Sequence, residues 1–247
     1  MTTIRFVALA LLLAGPASAK ASRLGAWVEL EGGPVWQSRN DVQIPAATGT
    51  RFSLRELGSG PALAYRAYAG VSLGRHELRA LWAPLTLDLD GTLPRAVSFQ
   101  GETFGTASPV DARYRFDSYR LTYRYALVDR ERWTLKVGFT GKIRDATVRL
   151  AQDGRVARRS NVGFVPLLHL SAAWRFAPSW ELMLDADALA APQGRAEDVA
   201  LLVGWNVTPA VQLRAGYRTV EGGADGGGDV YSFAWLHYGV AGVAIRL

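Results

Sequence analysis

The sequence predicts an all-β chain folded as one antiparallel β-barrel of ten strands, with eight and twelve as the outer limits. Three observations predict it. Most of the chain alternates apolar and polar residues with a period of two, which puts the two kinds on opposite faces of a strand. The connections between the alternating segments are short and long in turn. Beyond the amino terminus no stretch approaches the roughly 18 apolar residues that a spanning helix needs, so any crossing of a membrane falls to strands.

The chain has 247 residues, enough for one large β-domain. Residues 1–19 read as a signal peptide, with Arg5 as the basic region, Phe6 to Gly15 as the apolar stretch and Ala17-Ser18-Ala19 as the cleavage site before Lys20. Residues 20–247 are then the barrel. There are no cysteines, which excludes disulfides and thiolate chemistry. A net charge of +6 suits nucleic acid in principle, but an exported chain does not meet it. Its basic residues instead face lipopolysaccharide phosphates or form internal ion pairs.

In order, the first strand is expected over about Ala26–Trp36, with Glu29 and Glu31 on one face and Val28 and Leu30 on the other. A polar loop over 37–61 leads to the second strand, about Ala62–Leu73, and a tight turn at Gly74-Arg75 to the third, about Glu77–Leu89. Pro84 interrupts the third and shifts its alternation, which suggests a bulge or a locally unpaired N–H. Residues 90–113 form a second long loop with Gly and Pro punctuation. The hairpin FDSYRLTYRYALVDRERWTLKVGFTGKIRD (116–145) supplies strands four and five, the fifth reaching Leu150.

A loop at 151–160 carries Arg155, Arg158 and Arg159. Strand six covers about Val162–Phe176, strand seven about Trp180–Ala190, strand eight runs through Val199–Trp205 and strand nine through Val211–Arg218. A Gly-rich loop at 221–229 precedes the last strand, about Val230–Leu247.

Alternation does not say which face is outside. A soluble lipid-binding barrel of the periplasm has the same period. Three features choose a bacterial outer-membrane barrel. Trp133, Trp174, Trp180 and Trp205 lie beside short turns, where an aromatic girdle belongs. Val243, Ile245 and Leu247 end the chain at period two, like the signal read by the outer-membrane assembly machinery. The third is that the other face carries both charge signs in bulk. With the apolar face in lipid, the lumen holds Glu29, Glu31, Arg66, Glu77, Arg79, Arg120, Arg124, Lys136, Glu181, Asp185, Asp187, Asp198, Arg214 and Arg218. Buried charges must pair or be hydrated, and ten strands leave little spare room. A plugged, salt-bridged interior follows.

The segments FDSYRLTYRY (116–125), GFTGKIRDA (138–146), GFVPLLHL (163–170), DADALAAPQGRAEDVAL (185–201), GYRTVEGGAD (216–225) and YSFAWLHY (231–238) resemble a family of small bacterial outer-membrane β-barrel proteins. They cover roughly the second half of the chain. The family has no assigned activity, so the resemblance implies fold and location and carries no catalytic residue across.

Candidate chemistry is sparse. His169 and Ser171 share a strand face, and the His-x-Ser spacing of outer-membrane lipid A deacylases uses His as base and Ser as nucleophile. Those enzymes work on the lipid-facing wall, whereas this pair falls on the polar face. Asp88, Asp90, Asp185 and Asp187 could serve as paired general bases, as in omptin-type proteases, but the chain has no Asp-x-His to complete that site. Residues 222–229 could wrap a calcium ion, although they match no calcium-loop pattern and read better as a flexible connection. Arg155, Arg158 and Arg159 are candidate contacts for lipopolysaccharide phosphates. No cofactor and no metal site is expected. The sequence thus predicts a monomeric outer-membrane barrel with a structural, narrow-path or surface-receptor role. The alternatives are a lipid A-modifying hydrolase built on His169 and Ser171, and a soluble periplasmic lipid-binding barrel.

Overall fold

The structure, a computed structural model, describes residues 24–58 and 60–247; the predicted signal peptide lies outside them. Ten strands form the wall: β1 (Leu24–Gln43), β2 (Ala62–Leu73), β3 (His76–Ala83 continuing as Thr86–Gly91), β4 (Val110–Asp129), β5 (Trp133–Gln152), β6 (Arg155–Ala177), β7 (Trp180–Ala191), β8 (Gly194–Asn206), β9 (Val211–Asp225) and β10 (Tyr231–Arg246). Each pairs antiparallel with its sequence neighbours, and β10 closes on β1 from Trp27 opposite Arg246 to Gln43 opposite Tyr231. Over the turn-end half closure leaves no free edge, the condition for a sheet in an apolar solvent.

One end of the barrel carries the tight turns at 74–75, 130–132, 178–179 and 207–210, together with the first and last described residues. The opposite end carries the connections 44–61, 92–109 and 226–230. Two connections there are tight as well, 153–154 and 192–193. The expected loop at 151–160 is a turn of Asp153 (φ 49°) and Gly154 (φ 79°), both in the left-handed region that such a hairpin requires. Arg155, Arg158 and Arg159 therefore stand on β6 and not in a loop. The Gly-rich stretch likewise continues β9 as far as Asp225, and only residues 226–230 connect.

The alternation survives Pro84. Ala83 stands opposite Ser118 and Thr86 opposite Arg115, one unbroken register, so there is no bulge there. What changes is polarity. Along β3 the inward residues run from Glu77 and Arg79 to Leu81, Leu85 and Leu87, while the outward ones run from Leu78 and Trp82 to Thr86, Asp88 and Asp90. β4 repeats the exchange. Its outward Tyr119, Leu121, Tyr123 and Leu127 give way to Asp117, Arg115, Arg113 and Asp111 towards the loop end. Its inward Arg124, Thr122, Arg120 and Ser118 give way to Phe116, Tyr114, Ala112 and Val110.

The molecule is thus two barrels end to end, apolar outside and charged inside towards the turns, polar outside and apolar inside towards the loops. The connections supply much of the second interior. Ile44, Phe52, Leu54 and Leu57 come from one, the last two on a single 3-10 turn (Leu54–Leu57); Leu93, Val97, Phe99 and Phe104 come from the other, on a small hairpin (Val97–Phe99 with Glu102–Phe104). They pack with Val110, Val148 and Leu150 of the wall into one buried cluster. The segment 37–61, expected to be a polar loop, extends β1 and then fills the barrel.

The outward apolar band around the turn-end half is continuous. Leu63 is 87% exposed, Phe139 66% and Phe164 70%, and Trp133, Trp174, Trp180 and Trp205 all point outward beside the turns. Trp133 stacks on Trp174 (ring centroids 5.5 Å apart) and Trp180 on Trp205 (5.8 Å). A second aromatic group lies where the outer face changes polarity. His237 stacks on Trp36, and Trp82 meets Tyr65 edge to face. Apolar patches larger than a few hundred Å² are rare on soluble monomers. This one encircles the molecule.

Candidate functional site

Every charged residue assigned to the lumen from the sequence points inward, because each occupies the inward phase of its strand. Midway along the axis Glu31 of β1, Arg66 and Tyr68 of β2, Arg120 of β4, Asp187 of β7, Asp198 of β8 and Arg218 of β9 meet across the lumen. Asp198 accepts from three guanidiniums, Arg66 at 2.8 Å, Arg120 at 2.7 Å and Arg218 at 2.7 Å. Arg120 also reaches Asp187 at 2.8 Å, and Arg218 reaches Glu31 at 2.9 Å. Three acids thus face three arginines; Arg66 and Arg120 reach across the lumen to Asp198 and Asp187, and Arg218 joins Asp198 and Glu31 along one side. That belt closes the lumen.

Between the belt and the turn end a second tier opens into a cavity of about 570 Å³. Arg79 holds Asp185 with two bonds, at 2.7 and 3.1 Å. Glu77 takes Arg124 and Lys136 at 2.5 Å each, and the Trp27 indole donates to it at 3.0 Å. Arg214 pairs with Glu29, and Glu181 with Arg175 at 2.8 Å. Acids and bases alternate around this vestibule, which opens at the turn end and is shut at its floor by the belt.

Several members of this arrangement escape a reading of single strands. Lys142 is buried on β5 with the Phe116 ring 4.8 Å from its ammonium, a cation held against an aromatic face. Thr140 donates to Asp187 at 2.7 Å. His169 places Nδ1 2.9 Å from the same carboxylate, so its partner is an acid on the neighbouring strand. Asp187 and His169 face each other in the β6–β7 ladder, a pairing visible only once the register is known. Ser171 lies one step further along β6 and lines the vestibule.

His169 and Ser171 therefore sit inside the lumen, away from the lipid-facing wall, and the imidazole is sealed from solvent. The carboxylates weighed as a protease site are scattered. Asp88 is on the polar outer wall with Arg113 at 2.5 Å, Asp185 is taken by Arg79, and Asp187 is in the belt. Asp229 of the candidate calcium loop pairs with Arg159 at 2.6 Å. Arg155 donates to the Thr103 carbonyl at 3.0 Å, so it and Arg159 tie β6 to the loop-end connections, whereas Arg158 donates to Ser160 of its own strand at 3.1 Å. Tyr114, in the apolar core of the loop-end half, has its phenol pushed above the ordinary range by burial.

No family model matches the chain, and no curated protein matches it in sequence. Among solved structures it is similar to the outer membrane protease OmpT from Escherichia coli, with 10% identity over 90% of this chain and 97% of that one and a TM-score of 0.54. Two further likenesses are looser. The attachment invasion locus protein Ail of Yersinia pestis, in complex with a heparin analogue, matches with 9% identity over 90% and 99% of the two chains and a TM-score of 0.41. Neisserial surface protein A matches with 15% identity over 89% and 96% and a TM-score of 0.38. At these identities the likeness to OmpT is one of fold: a small closed barrel of the outer-membrane kind.

Proposed function

We propose that the chain is an integral barrel of a bacterial outer membrane, closed to solute flow, with its turn end in the periplasm and its loop end outside. Its role is structural or that of a surface receptor. The observation that carries this is the exchange of polarity along the wall. An apolar exterior over a charged interior suits a bilayer, and the reverse suits water. From Tyr119 to Leu127 the apolar stretch of β4 is about 26 Å long at ~3.3 Å per residue, which at a ~40° tilt is about 20 Å of depth. Other strands carry the band further, Phe164 to Phe176 on β6 for example.

The interior argues against a pore. A solute would have to break the belt and then displace a packed apolar core that includes Phe52, Phe99 and Phe104. The same wall weighs against a soluble periplasmic barrel, which would keep its apolar face inside. The lipid A-modifying alternative needs His169 and Ser171 at the lipid face, and both point away from it. The partners that fit are lipid and lipopolysaccharide, with Arg149 and Arg158 on the outer wall above the apolar band as candidates for its phosphates. The outward Ile245 at the end of β10 suits recognition by the assembly machinery.

Planar-bilayer conductance tests the closure. The folded wild type is expected to be silent. Arg120→Glu/Arg124→Glu is expected to be silent too, because the apolar core seals the loop end independently of the belt. Steady channels of defined conductance in the wild type would overturn the closed reading. Recovery in the aqueous periplasm without detergent would overturn membrane residence.

A further inference from the structure

The wall has a wedge in it. β1 pairs with β2 only as far as Val35 opposite Ala62, yet runs on to Gln43. β3 pairs with β2 only as far as Trp82 opposite Ala67, yet runs on to Gly91. Past these points the two strands part around the end of β2. Pro84 has no N–H to offer a neighbour, and β3 follows β4 instead. Leu57 and Gly58, with Gly60 and Pro61, line the wedge and leave a cavity of about 230 Å³ between β1 and β3.

That cavity has two kinds of lining. Val35, Leu57, Leu87 and Leu89 make its apolar side, and Asp88 and Asp90 stand on the other. Its mouth lies where the outer face changes polarity. Leu63 and Trp36 belong to the apolar band, and Asp88 and Asp90 to the polar wall above it. Asp88 is engaged by Arg113, while Asp90 has no ion-pair partner among the described residues and faces Asp111 across the ladder. A site with an apolar floor and a carboxylate at its mouth, opening just above the apolar band, is shaped for an amphiphile whose chain enters the wall beside the boundary of lipid and water.

We infer that the wedge between β1 and β3 binds the alkyl chain of a single-chain amphiphile with a cationic or neutral head, the head lying beside Asp90. An apolar cavity of ~150 Å³ accepts benzene, so 230 Å³ takes the end of one chain and not two. A carboxylate head would meet Asp90 with like charge. Nothing in this reading requires the lumen to conduct. The site opens sideways and ends against the packed core.

The test is a titration of the full barrel in lipid nanodiscs with decylamine, followed by NMR of the methyl groups. Saturable shifts are expected at Val35, Leu57, Leu87 and Leu89, with decanoate binding at least tenfold more weakly. A Cβ added at Gly60, which lines the wedge, meets nothing within 4 Å, so a larger residue can start there without backbone strain, and Gly60→Trp is expected to obstruct the wedge and abolish the shifts. Gly228→Trp, equally unobstructed but in the 226–230 connection, should bind like the wild type. Asp90→Asn should bring decanoate and decylamine to similar affinity. The site is overturned by unsaturable or dispersed shifts in folded wild type, or by undiminished binding in Gly60→Trp. Equal affinity of the wild type for the two amphiphiles would overturn the assignment of the head.

Discussion

Asp198→Asn is the sharpest perturbation of the belt. The amide keeps the volume of the carboxylate and removes its charge, leaving two acids, Glu31 and Asp187, among Arg66, Arg120 and Arg218. Arg120 keeps Asp187 at 2.8 Å and Arg218 keeps Glu31 at 2.9 Å. Arg66 is left with Glu31 at 3.8 Å, its side chain only 8% exposed. Removing one member of a buried pair costs about 3–5 kcal/mol, most of it the charge left behind. Because two of three arginines retain a close acid, about 3 kcal/mol is expected. The assay is urea unfolding in vesicles, read by tryptophan fluorescence. Asp88→Asn, which disrupts an exposed pair, is the control and should leave the midpoint where it was. Adding Arg66→Met to Asp198→Asn should restore part of the loss, since the orphaned charge goes with it. A loss below about 1 kcal/mol in Asp198→Asn, or no recovery in the double variant, would refute the view that the belt is held by mutual compensation.

Three further outcomes follow from the packing. Phe99→Ala, fully buried at the loop end, should cost about 3–5 kcal/mol and expose residues 92–109 to protease while the turn-end half stays protected. Gly138 faces the lumen between Arg124 and His169, and a side chain there would come within 1.8 Å of the Tyr123 carbonyl oxygen; Gly138→Ala should therefore cost about 3 kcal/mol, seen as a lower unfolding midpoint. Arg159→Ala releases Asp229 and should raise protease cleavage within 226–230 while changing global stability by less than about 1 kcal/mol.

The wall was legible because a period of two needs no tertiary knowledge. The inward charges, the turn at Gly74-Arg75 and the four tryptophans beside the turns could be placed from alternation and turn chemistry. The core of the loop end was not, for a physical reason. A pattern rule assigns one face to lipid and one to the lumen, and along β3 the apolar residues change face while the strand keeps its register. Pro84 stands at the change and made an exchange of environment look like a slip of phase. The connections 37–61 and 92–109 contain enough polar residues to pass for loops, although Phe52, Leu54, Leu57, Val97, Phe99 and Phe104 are buried. The turn at Asp153-Gly154 carried its own signal, since Asp-Gly is a strong hairpin dipeptide; the arginines after it masked the start of β6. Cross-strand partners such as Asp187 and His169 depend on register between strands, which no single stretch encodes.

In the bilayer setting proposed above, the exchange of polarity along the wall also fixes how deep the molecule can ride. Sinking by one turn-end step would bring Arg115 and its partners Asp117 and Asp145 into hydrocarbon, and rising would lift Leu121 and Ile143 into water. A barrel with a uniform wall can adjust to a thicker or thinner bilayer by sliding; this one meets opposing penalties in either direction. A thicker bilayer must therefore thin around it, and a thinner one must swell, each at a fraction of a kcal/mol per Å. The chain thus acts on its surroundings as a gauge of fixed height, and it should gather where the membrane already matches it.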